Sequence, residues 1–513
     1  MTDQPTVPNR KHPGLARGLM SSYVSLGLTI VISTITTPLI LRGLGPAQFG
    51  LLALAQSLAG YLGLIELGTG TAAVRRVASA FAHDDDDEVR SIVGSSLAVN
   101  VGFMVLAVGA LFGLIAIFPA IFTLQPGQAT VGRVVLLVLG CAQIMAFLSS
   151  AYVALLFGGG RIGTTAWAGA TQSLLTSILA IVAALSGAGV GGVAAVSLIA
   201  SVFATLNLRR LSNRHWPALV PRLRNRSQDK IGILLRSGSR NAIVALTSIL
   251  ANGSDLIIVG VITNTTQVAG YALASRAVGL GRTLATRLVD ALVPSFASAH
   301  ARGDRRTESQ LFTDAVFTAL AVGAPLMGAL CLTAPALLRI WVGNPPGDAV
   351  QLTQILALGL VAQLPGHCSY TLLSASERMG FLMAAGTVGG VANCGASVIL
   401  GEWLGAIGPA ISLLATALLF DLVVLPIYVM RTLGSSYWLF ARHAFGPHLA
   451  PIILQVGTLA LVRHLTLGDW PSALVAVGSV IIYVAVLFGC AGRNRQRRFS
   501  TGFATFTPRR SRM

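Results

Sequence analysis

The fold is decided by the stretch from Thr37 to Ala78, whose sequence is TPLILRGLGPAQFGLLALAQSLAGYLGLIELGTGTAAVRRVA. An apolar run leads into Gly45 and Pro46, a dipeptide typical of turns, and a second apolar run follows it. The stretch then ends in the basic pair Arg75 and Arg76. This pattern predicts two membrane helices joined by a tight turn, with a positively charged exit on one side of the membrane.

A similar layout returns about 220 residues further along the chain, which indicates an internal repeat. Gly50 in the segment QFGLLAL corresponds to Gly270 in the segment QVAGYAL. The segment AFAH, which ends at His83, corresponds to the segment ASAH, which ends at His300, at nearly the same offset. Because both copies begin on the same predicted side of the membrane, we expect two related lobes arranged as parallel repeats.

The composition places almost the whole chain in a membrane. Of the 513 residues, 54% are apolar and only 11% are charged, and the mean hydropathy is +0.75. A soluble protein carries about 25% charged residues. Apolar runs of about 20 residues recur, and each is long enough to cross the hydrocarbon core. We therefore expect an all-α polytopic membrane protein with about fourteen transmembrane helices, arranged as two six-helix lobes plus two extra C-terminal helices.

The links between the apolar runs divide the chain into five predicted parts. The longest link is basic and separates six helices from six, and a basic tail follows the last apolar run. The predicted parts are an N-terminal lobe at 1-208, a basic cytoplasmic linker at 209-231, a C-terminal lobe at 232-442, two extra helices at 443-491 and a basic cytoplasmic tail at 492-513.

The formal net charge of +18 has a topological explanation. Most of the 36 Lys and Arg residues fall in the two tails and in every second link. The intervening links contain only Arg42, Arg133, Arg339 and Arg463. Because basic links remain on the inner side of a membrane, we expect both termini in the cytoplasm. No basic patch is interleaved with aromatic residues, so a nucleic-acid partner is not expected.

The sequence offers no pattern that is typical of an enzyme. It contains neither a nucleophile–base arrangement nor a phosphate-binding loop, so we expect neither catalysis nor ATP hydrolysis. The five cysteines lie in apolar segments without metal-ligand spacing. The acidic run from Asp84 to Glu88 is typical of a solvated loop or a helix start, with a divalent-ion site as the alternative. We expect no cofactor and no resident metal.

Ionisable residues inside the predicted spans are the candidate functional residues. At about 100° per residue, Arg276, Arg287 and Asp290 share one stripe of the eighth predicted span, whereas Arg282 points elsewhere. Arg276 lies about 13 Å below the predicted outer surface, and Asp255 of the preceding span lies about 10 Å below it. We expect these two side chains to meet, either at a functional site or as an ion pair that only fixes packing.

Other ionisable residues complete the candidate set. Arg240 lies one helical turn from Arg236 and is either a phosphate ligand or an anchor at the membrane interface. Asp421 and Glu66 are candidate proton or ion sites, with a local pair to Arg75 or Arg76 as the alternative for Glu66. His367 follows a Pro-Gly pair and is either a satisfied buried histidine or part of a cavity.

Several segments resemble a known family. LRGLGPAQFGLLALAQSL, followed by GLIELGTGTAAVRRVA, resembles the first helical hairpin of bacterial Wzx-type oligosaccharide flippases. These are polysaccharide biosynthesis export proteins of the MOP exporter superfamily. SDLIIVGVITNTTQVAGYALA, from Ser254 to Ala274, resembles the corresponding hairpin of the second lobe, and LLRIWVG, from Leu337 to Gly343, resembles the end of the ninth span.

The resemblance implies an alternating-access transporter of the bacterial plasma (inner) membrane, driven by an ion gradient. Its cargo would be an undecaprenyl-diphosphate-linked oligosaccharide, moved from the inner to the outer leaflet for a lipopolysaccharide, an exopolysaccharide or a capsule-like polymer. A polysaccharide polymerase and glycosyltransferases would be its partners. The residues implied as diphosphate ligands are Arg276, Arg282, Arg287 and Arg240. The residues implied as ion-pair or coupling partners are Asp255, Asp290, Asp421 and Glu66.

Related branches and one different class of protein are the alternatives. A lipid II-type peptidoglycan precursor flippase would carry arginines in its first two helices, but the first span here has no charge before Arg42 and the second has only Glu66. A MATE-like cation-coupled drug exporter typically has twelve helices and an acidic cation site within one lobe. A membrane-embedded sugar polymerase needs a large outer loop with acids or a histidine, whereas the predicted outer links are short.

Overall fold

The computed structural model describes residues 15–66, 68–238, 253–376, 379–464 and 468–490. The regular elements in these ranges are helices, and no β-strand occurs among them. By length and apolar composition, ten of these helices can cross a membrane, or up to eleven when a bent pair is counted as one span. The predicted all-α, polytopic class is therefore confirmed, and the chain is a multi-pass membrane protein.

The helices follow one another with short connections. In the first half they are α1 (Leu15–Leu62), α2 (Thr69–Ala82), α3 (Asp86–Ile121), α4 (Gln128–Gly158), α5 (Ile162–Leu185), α6 (Gly189–His215) and a segment α7 at 228–238. In the second half they are α8 (Ser254–Ile262), α9 (Thr265–Asp290), α10 (Val293–Ala301), α11 (Arg305–Val342), α12 (Ala349–Ala375), α13 (Met379–Leu404), α14 (Ile407–Thr432), α15 (Tyr437–Ala444), α16 (Gly446–His464) and α17 (Asp469–Cys490).

The predicted spans and the apolar helices differ in number for identifiable reasons. Helix α1 contains the first two predicted spans, which meet at a break in the helix. Helix α9 carries several charged residues, so it is not counted among the apolar helices. The predicted span at 234–262 lies partly outside the described residues. The penultimate predicted span is the bent pair Tyr437–Ala444 and Gly446–Leu461, with an angle of 41° between its parts.

The break in α1 lies at the predicted turn. Gly45 has φ 75° and ψ 165°, a left-handed backbone conformation that glycine adopts without the steric cost of a Cβ atom. Pro46 follows it, and its fixed φ suits the first position of the next helical stretch. The Gly-Pro pair therefore ends one membrane helix and starts the next, as the sequence predicted.

The acidic run forms the start of α3. Asp86, Asp87 and Glu88 occupy its first turn, where negative charge is favourable at a helix N-terminus. Glu88 also forms an ion pair with Lys230, and the Nε atom of Arg90 donates a hydrogen bond of 3.2 Å to the Ala218 carbonyl. The basic link after α6 therefore packs against the start of α3, and the helix-start interpretation of the acidic run is confirmed.

The helices form two compact units. One unit consists of Met1–Gly43, Leu58–Phe118 and Thr130–Ala245. The other consists of Leu44–Ser57, Pro119–Ala129 and Leu246–Met513. The division into lobes at 1-208 and 232-442 stays a prediction from the sequence. We call the first of the two compact units the N-terminal unit and the second the C-terminal unit. The C-terminal unit contains the break of α1 together with α8 to α17.

The last two helices pack on α11 within the C-terminal unit. Tyr483 of α17 is fully buried in a cluster with Phe317 and neighbouring alanines of α11. Gln455 of α16 donates a hydrogen bond of 2.9 Å from Nε2 to the carbonyl of Pro325. An added Cβ at Gly328 would lie 2.8 Å from the Gln455 Oε1 atom, so a larger residue there would displace the amide. The extra helices are thus attached by specific polar contacts as well as apolar ones.

The repeat-related glycines occupy similar environments. A Cβ atom at Gly50 would lie 1.7 Å from the Thr265 carbonyl oxygen, at the start of α9. A Cβ atom at Gly270 would lie 2.8 Å from the Pro346 carbonyl oxygen, just before α12. In each copy of the repeat, glycine permits a helix to pass close to the backbone that begins a later helix.

Replacing Gly50 with alanine is expected to destabilise the fold, because the new methyl group would overlap a backbone carbonyl that has no rotamer to change. Overpacking typically costs about 1–3 kcal/mol, and the 1.7 Å approach favours the upper end of that range. The measurement is the melting temperature of the purified variant in detergent. Gly60→Ala is the matched control on the same helix, since nothing lies within 4 Å of its added Cβ. Equal melting temperatures for the two variants would contradict this account.

Candidate functional site

The candidate site is built on α9, which is the most highly charged membrane helix predicted from the sequence. Asn264 caps its N-terminus, because its side chain accepts hydrogen bonds from the backbone amides of Thr266 and Gln267 at 3.0 and 3.1 Å. The helix then runs without interruption to Asp290. Three arginines therefore lie at increasing depth along one rigid element, with about 1.5 Å of rise per residue between them.

Arg276 lies nearest the start of α9 and contacts the broken helix α1. Its NH2 atom donates a hydrogen bond of 3.3 Å to the Gln56 Oε1 atom. Its guanidinium carbon lies 5.0 Å from the ring centroid of Phe49, a distance at which a cation–π interaction is favourable. Both partners belong to Leu44–Ser57 of the C-terminal unit. Arg276 thus joins α9 to the second stretch of α1 through an amide and an aromatic ring.

Arg282 faces α12 and α14. Its NH2 atom donates a hydrogen bond of 2.5 Å to the Gln363 Oε1 atom of α12. It also interacts electrostatically with Asp421 of α14. Asp421 lies in the π-helical segment Ala417–Val424, and its carboxylate approaches the α12 backbone at Gly366, where an added Cβ would lie 2.0 Å from Oδ1. Arg282 and Asp421 are both only half-buried.

The C-terminal end of α9 carries a second polar group. The Oδ1 atom of Asp290 lies 3.0 Å from the Nε2 atom of His367 on α12. Its Oδ2 atom lies 3.8 Å from the NH1 atom of Arg287, one turn earlier on α9. Arg282 and Arg287 are both close enough to His367 to interact with it electrostatically. His367 is therefore a partnered histidine, and it contacts the charged residues of α9 through Asp290.

Asp255 lies in a separate, more deeply buried polar cluster near the start of α8. Its side chain accepts hydrogen bonds from Asn393 Nδ2 at 3.0 Å, Ser397 Oγ at 3.2 Å and Tyr271 OH at 3.3 Å. Asp255 is only 2% exposed. Ser412 of α14 donates a hydrogen bond of 3.0 Å to Asn393 Oδ1, which orients the amide toward the carboxylate. These three neutral donors stabilise the buried charge of the carboxylate.

The expected contact between Asp255 and Arg276 is not formed. Asp255 contacts α9 through Tyr271, which lies five residues before Arg276 and so about 140° around the helix. The prediction of similar depth did not determine which face of α9 meets α8. Arg276 likewise does not join Arg287 and Asp290 in one group. Arg276 contacts Gln56 of α1, whereas Arg287 and Asp290 lie 3.8 Å apart and Asp290 contacts His367 of α12.

The remaining candidate residues lie elsewhere. Glu66 belongs to the N-terminal unit, where the Ser150 hydroxyl lies 2.5 Å from its Oε1 atom. The alternative local pair with Arg75 or Arg76 is not formed. Arg240 lies outside the described residues, and the Arg236 side chain is exposed.

The functional partners that sequence reasoning missed are mostly uncharged. Gln56, Gln363 and Asn393 each supply the amide that contacts a charged candidate residue. A signal was available, because amides are uncommon within apolar spans and normally require an internal partner. The sequence prediction was based on ionisable residues within the spans, so it did not include these amides.

The arginines of α9 can bind an anion. When no anion is bound, their positive charges are stabilised by the amide and carboxylate partners described above. Arginine binds phosphate oxygens through two parallel hydrogen bonds. The observed partners of Arg276 and Arg282 include neutral amide oxygens, which a phosphate oxygen can replace without leaving a buried charge unpaired.

Comparisons with known proteins agree with this architecture. Residues 15–300 match the family model described as polysaccharide biosynthesis protein. The chain is 22% identical over 484 residues to the uncharacterized membrane protein EpsK of Bacillus subtilis (strain 168). This match covers 91% of this chain and 94% of that protein.

Solved structures show the same fold at low identity. One is an inward-facing multidrug resistance MATE family transporter of the MOP superfamily, with a TM-score of 0.66, 16% identity and coverage of 80% of this chain and 98% of that chain. Another is the lipid II flippase MurJ in an inward closed conformation, with a TM-score of 0.66, 14% identity and coverage of 91% and 99%. The fold of this chain is thus one that is found in transporters and flippases.

Proposed function

The chain belongs to the polysaccharide biosynthesis protein family, and we propose that it flips a polyprenyl-diphosphate-linked oligosaccharide from the inner to the outer leaflet. The observation that carries the proposal is the set of arginines on α9. Arg276 and Arg282 donate hydrogen bonds to amides of other helices in the same unit, and Arg287 lies 3.8 Å from Asp290 on α9 itself. An arginine within a membrane span is costly unless it is functional or paired. A diphosphate headgroup is the cargo chemistry that this set fits best.

The diphosphate explains why several arginines are needed. Moving an unpaired phosphate charge into hydrocarbon is prohibitively unfavourable, so a carrier must supply compensating charge along the route. Arg276, Arg282 and Arg287 lie along about 17 Å of α9, at about 1.5 Å of rise per residue. The headgroup can exchange hydrogen bonds from one guanidinium to the next while its lipid tail remains in the bilayer.

Asp255 is our candidate for ion coupling. Its carboxylate is buried with Asn393, Ser397 and Tyr271, and it makes no ion pair with the arginines of α9. Binding of a proton or a small cation there would neutralise a buried charge and favour one packing of α8, α13 and α14 over another. A gradient of that ion would then drive the alternation of the carrier. Asp290 pairs with His367 and can contribute to the same change of state.

The cellular setting follows from the same proposal. A lipid-linked sugar is built on the cytoplasmic face, so the carrier would lie in the bacterial plasma membrane with both termini in the cytoplasm. Glycosyltransferases would supply its cargo, and a polymerase would consume the product. The chain itself would catalyse no chemical step.

The alternatives are a lipid II-type flippase and a cation-coupled drug exporter. The MurJ and MATE structures share the fold at low identity. Deletion of the protein distinguishes the alternatives: arrested peptidoglycan synthesis would favour lipid II, and increased drug sensitivity would favour the exporter.

The proposal is tested by leaflet-resolved labelling of lipid-linked oligosaccharide in cells with and without the protein. We expect unpolymerised, lipid-linked units to accumulate facing the cytoplasm when it is missing. A missing polymerase would instead leave single units displayed on the outer face. An unchanged distribution between leaflets would overturn the proposed function.

A further inference from the structure

Arg282 has an acidic neighbour at the same depth in the membrane. Arg282 lies 15 residues after Gln267, and Asp421 lies 14 residues after Ile407, so both are roughly 20 Å from the predicted outer ends of their helices. The two side chains come from α9 and α14 of the C-terminal unit. They interact electrostatically, since each is a charged neighbour of the other.

The surroundings of Asp421 leave the charge of Arg282 as its main compensation. Among the residues that the structure describes, no side chain donates a hydrogen bond to this carboxylate. On one side it lies against Gly366, where the absence of a side chain gives the carboxylate its space. Its own helix is π-helical over Ala417–Val424, a local widening that is often found at functional sites.

Gln363 holds Arg282 beside this carboxylate. Gln363 and Gly366 are one turn apart on α12, and Gln363 accepts the 2.5 Å hydrogen bond from the Arg282 NH2 atom. The guanidinium therefore has a neutral acceptor on α12 within hydrogen-bond distance, and the Asp421 carboxylate of α14 interacts with it electrostatically from more than 4 Å away. Arginine has five N–H donors and cannot lose its proton, so it needs an acceptor in every state of the carrier.

From this geometry we propose that Asp421 is the resting counter-ion of Arg282, and that the diphosphate of the cargo displaces it. This rests on the proposed function. In the empty carrier, Asp421 and Arg282 form a pair without net charge. When cargo binds, the phosphate oxygens take the place of the carboxylate beside the guanidinium. The carrier can thus return empty without an uncompensated cation in the membrane.

The proposal predicts opposite effects on binding and on turnover. Asp421→Asn removes the competing anion and the repulsion between the carboxylate and the diphosphate, so binding of the headgroup should strengthen at least tenfold. The same change removes the negative charge of Asp421 from the surroundings of Arg282 in the empty carrier, so the rate of export should fall. A purely structural role for Asp421 would lower both quantities.

The experiment is calorimetric titration of the purified full-length protein with farnesyl diphosphate, a short polyprenyl diphosphate. It compares wild type, Asp421→Asn, Arg282→Gln and the control Asp469→Asn, which removes a carboxylate that pairs with Arg339 at 2.8 Å. We expect tighter binding only in Asp421→Asn and a loss of binding in Arg282→Gln. Asp421→Ala provides a second test if the asparagine variant is unstable.

The outcomes separate this inference from the proposed function. Equal or weaker binding by both Asp421 variants, with binding that still depends on Arg282, would overturn the counter-ion role alone. Absence of binding by wild type, or binding that does not depend on Arg282, would overturn the assignment of the diphosphate to α9. Tighter binding by Asp469→Asn as well would show a general charge effect and would also overturn the counter-ion role.

Discussion

Replacing Arg282 with glutamine is expected to reduce export of the lipid-linked oligosaccharide at least tenfold. The guanidinium is half-buried between α9, α12 and α14, and glutamine cannot donate two parallel hydrogen bonds to a phosphate. A hydrogen bond to a charged group contributes about 1.5–3 kcal/mol. Since about 1.4 kcal/mol corresponds to a factor of ten, the loss of affinity should be roughly ten- to hundredfold.

The measurement is the amount of surface polysaccharide produced by a deletion strain that carries the variant. The abundance of the variant in the membrane is followed at the same time, because a misfolded protein would mimic the effect. Arg339→Gln is the matched control, since Arg339 is exposed and its NH2 atom lies 2.8 Å from the Oδ1 atom of Asp469 on α17. Wild-type export by Arg282→Gln at normal abundance would contradict the role of Arg282.

Replacing Arg276 with alanine should also abolish export, because it removes the guanidinium that contacts Gln56 and Phe49.

Replacing Asp255 with asparagine is expected to uncouple transport from the ion gradient. The variant keeps the shape of the side chain, and its single amide oxygen can still accept the hydrogen bonds that Asn393 and Ser397 donate to Oδ1. Its amide nitrogen would replace the oxygen that faces Tyr271 and can donate to that hydroxyl. It cannot bind and release a proton or present a full negative charge to a cation. Gradient-driven export should therefore fall at least tenfold, whereas binding of the diphosphate to the α9 arginines should change little.

The measurement compares gradient-driven export with diphosphate binding in the same purified variant. Glu402→Gln, near the exposed end of α13, removes an equivalent charge without touching the Asp255 cluster and should behave like wild type. A loss of both export and binding in Asp255→Asn would indicate that Asp255 supports the fold or the binding site. Full gradient-driven export would exclude Asp255 as the coupling residue.

The sequence predicted the parts of the fold that depend on local pattern. The Gly45-Pro46 break, the acidic start of α3 and the charged helix α9 all follow from short stretches of residues. The repeat also indicated that Gly50 and Gly270 occupy equivalent positions, and both prove to lie against backbone that begins a later helix. Such features require no knowledge of which helices are neighbours.

The contacts of the site could not be predicted in the same way. Depth along a helix follows from the rise per residue, so the sequence alone predicts similar depths for Arg276 and Asp255. The neighbour of each side chain depends on how the helices pack, which the depth does not determine. The expected pair of Asp255 and Arg276 was therefore wrong. The π-helical segment that positions Asp421 adds a residue to one turn, and a regular helical wheel does not represent it.

The central claim is most directly tested by reconstitution of the purified protein into liposomes that contain a lipid-linked oligosaccharide. A membrane-impermeant reagent then measures the fraction of sugar on the outer face, with and without an imposed proton or sodium gradient. We predict that wild type moves the sugar across the bilayer faster under the gradient, that Asp255→Asn loses this response and that Arg282→Gln moves almost none. Equal distribution of the sugar in liposomes with wild type, with Arg282→Gln and without protein would contradict the claim that this chain is a flippase.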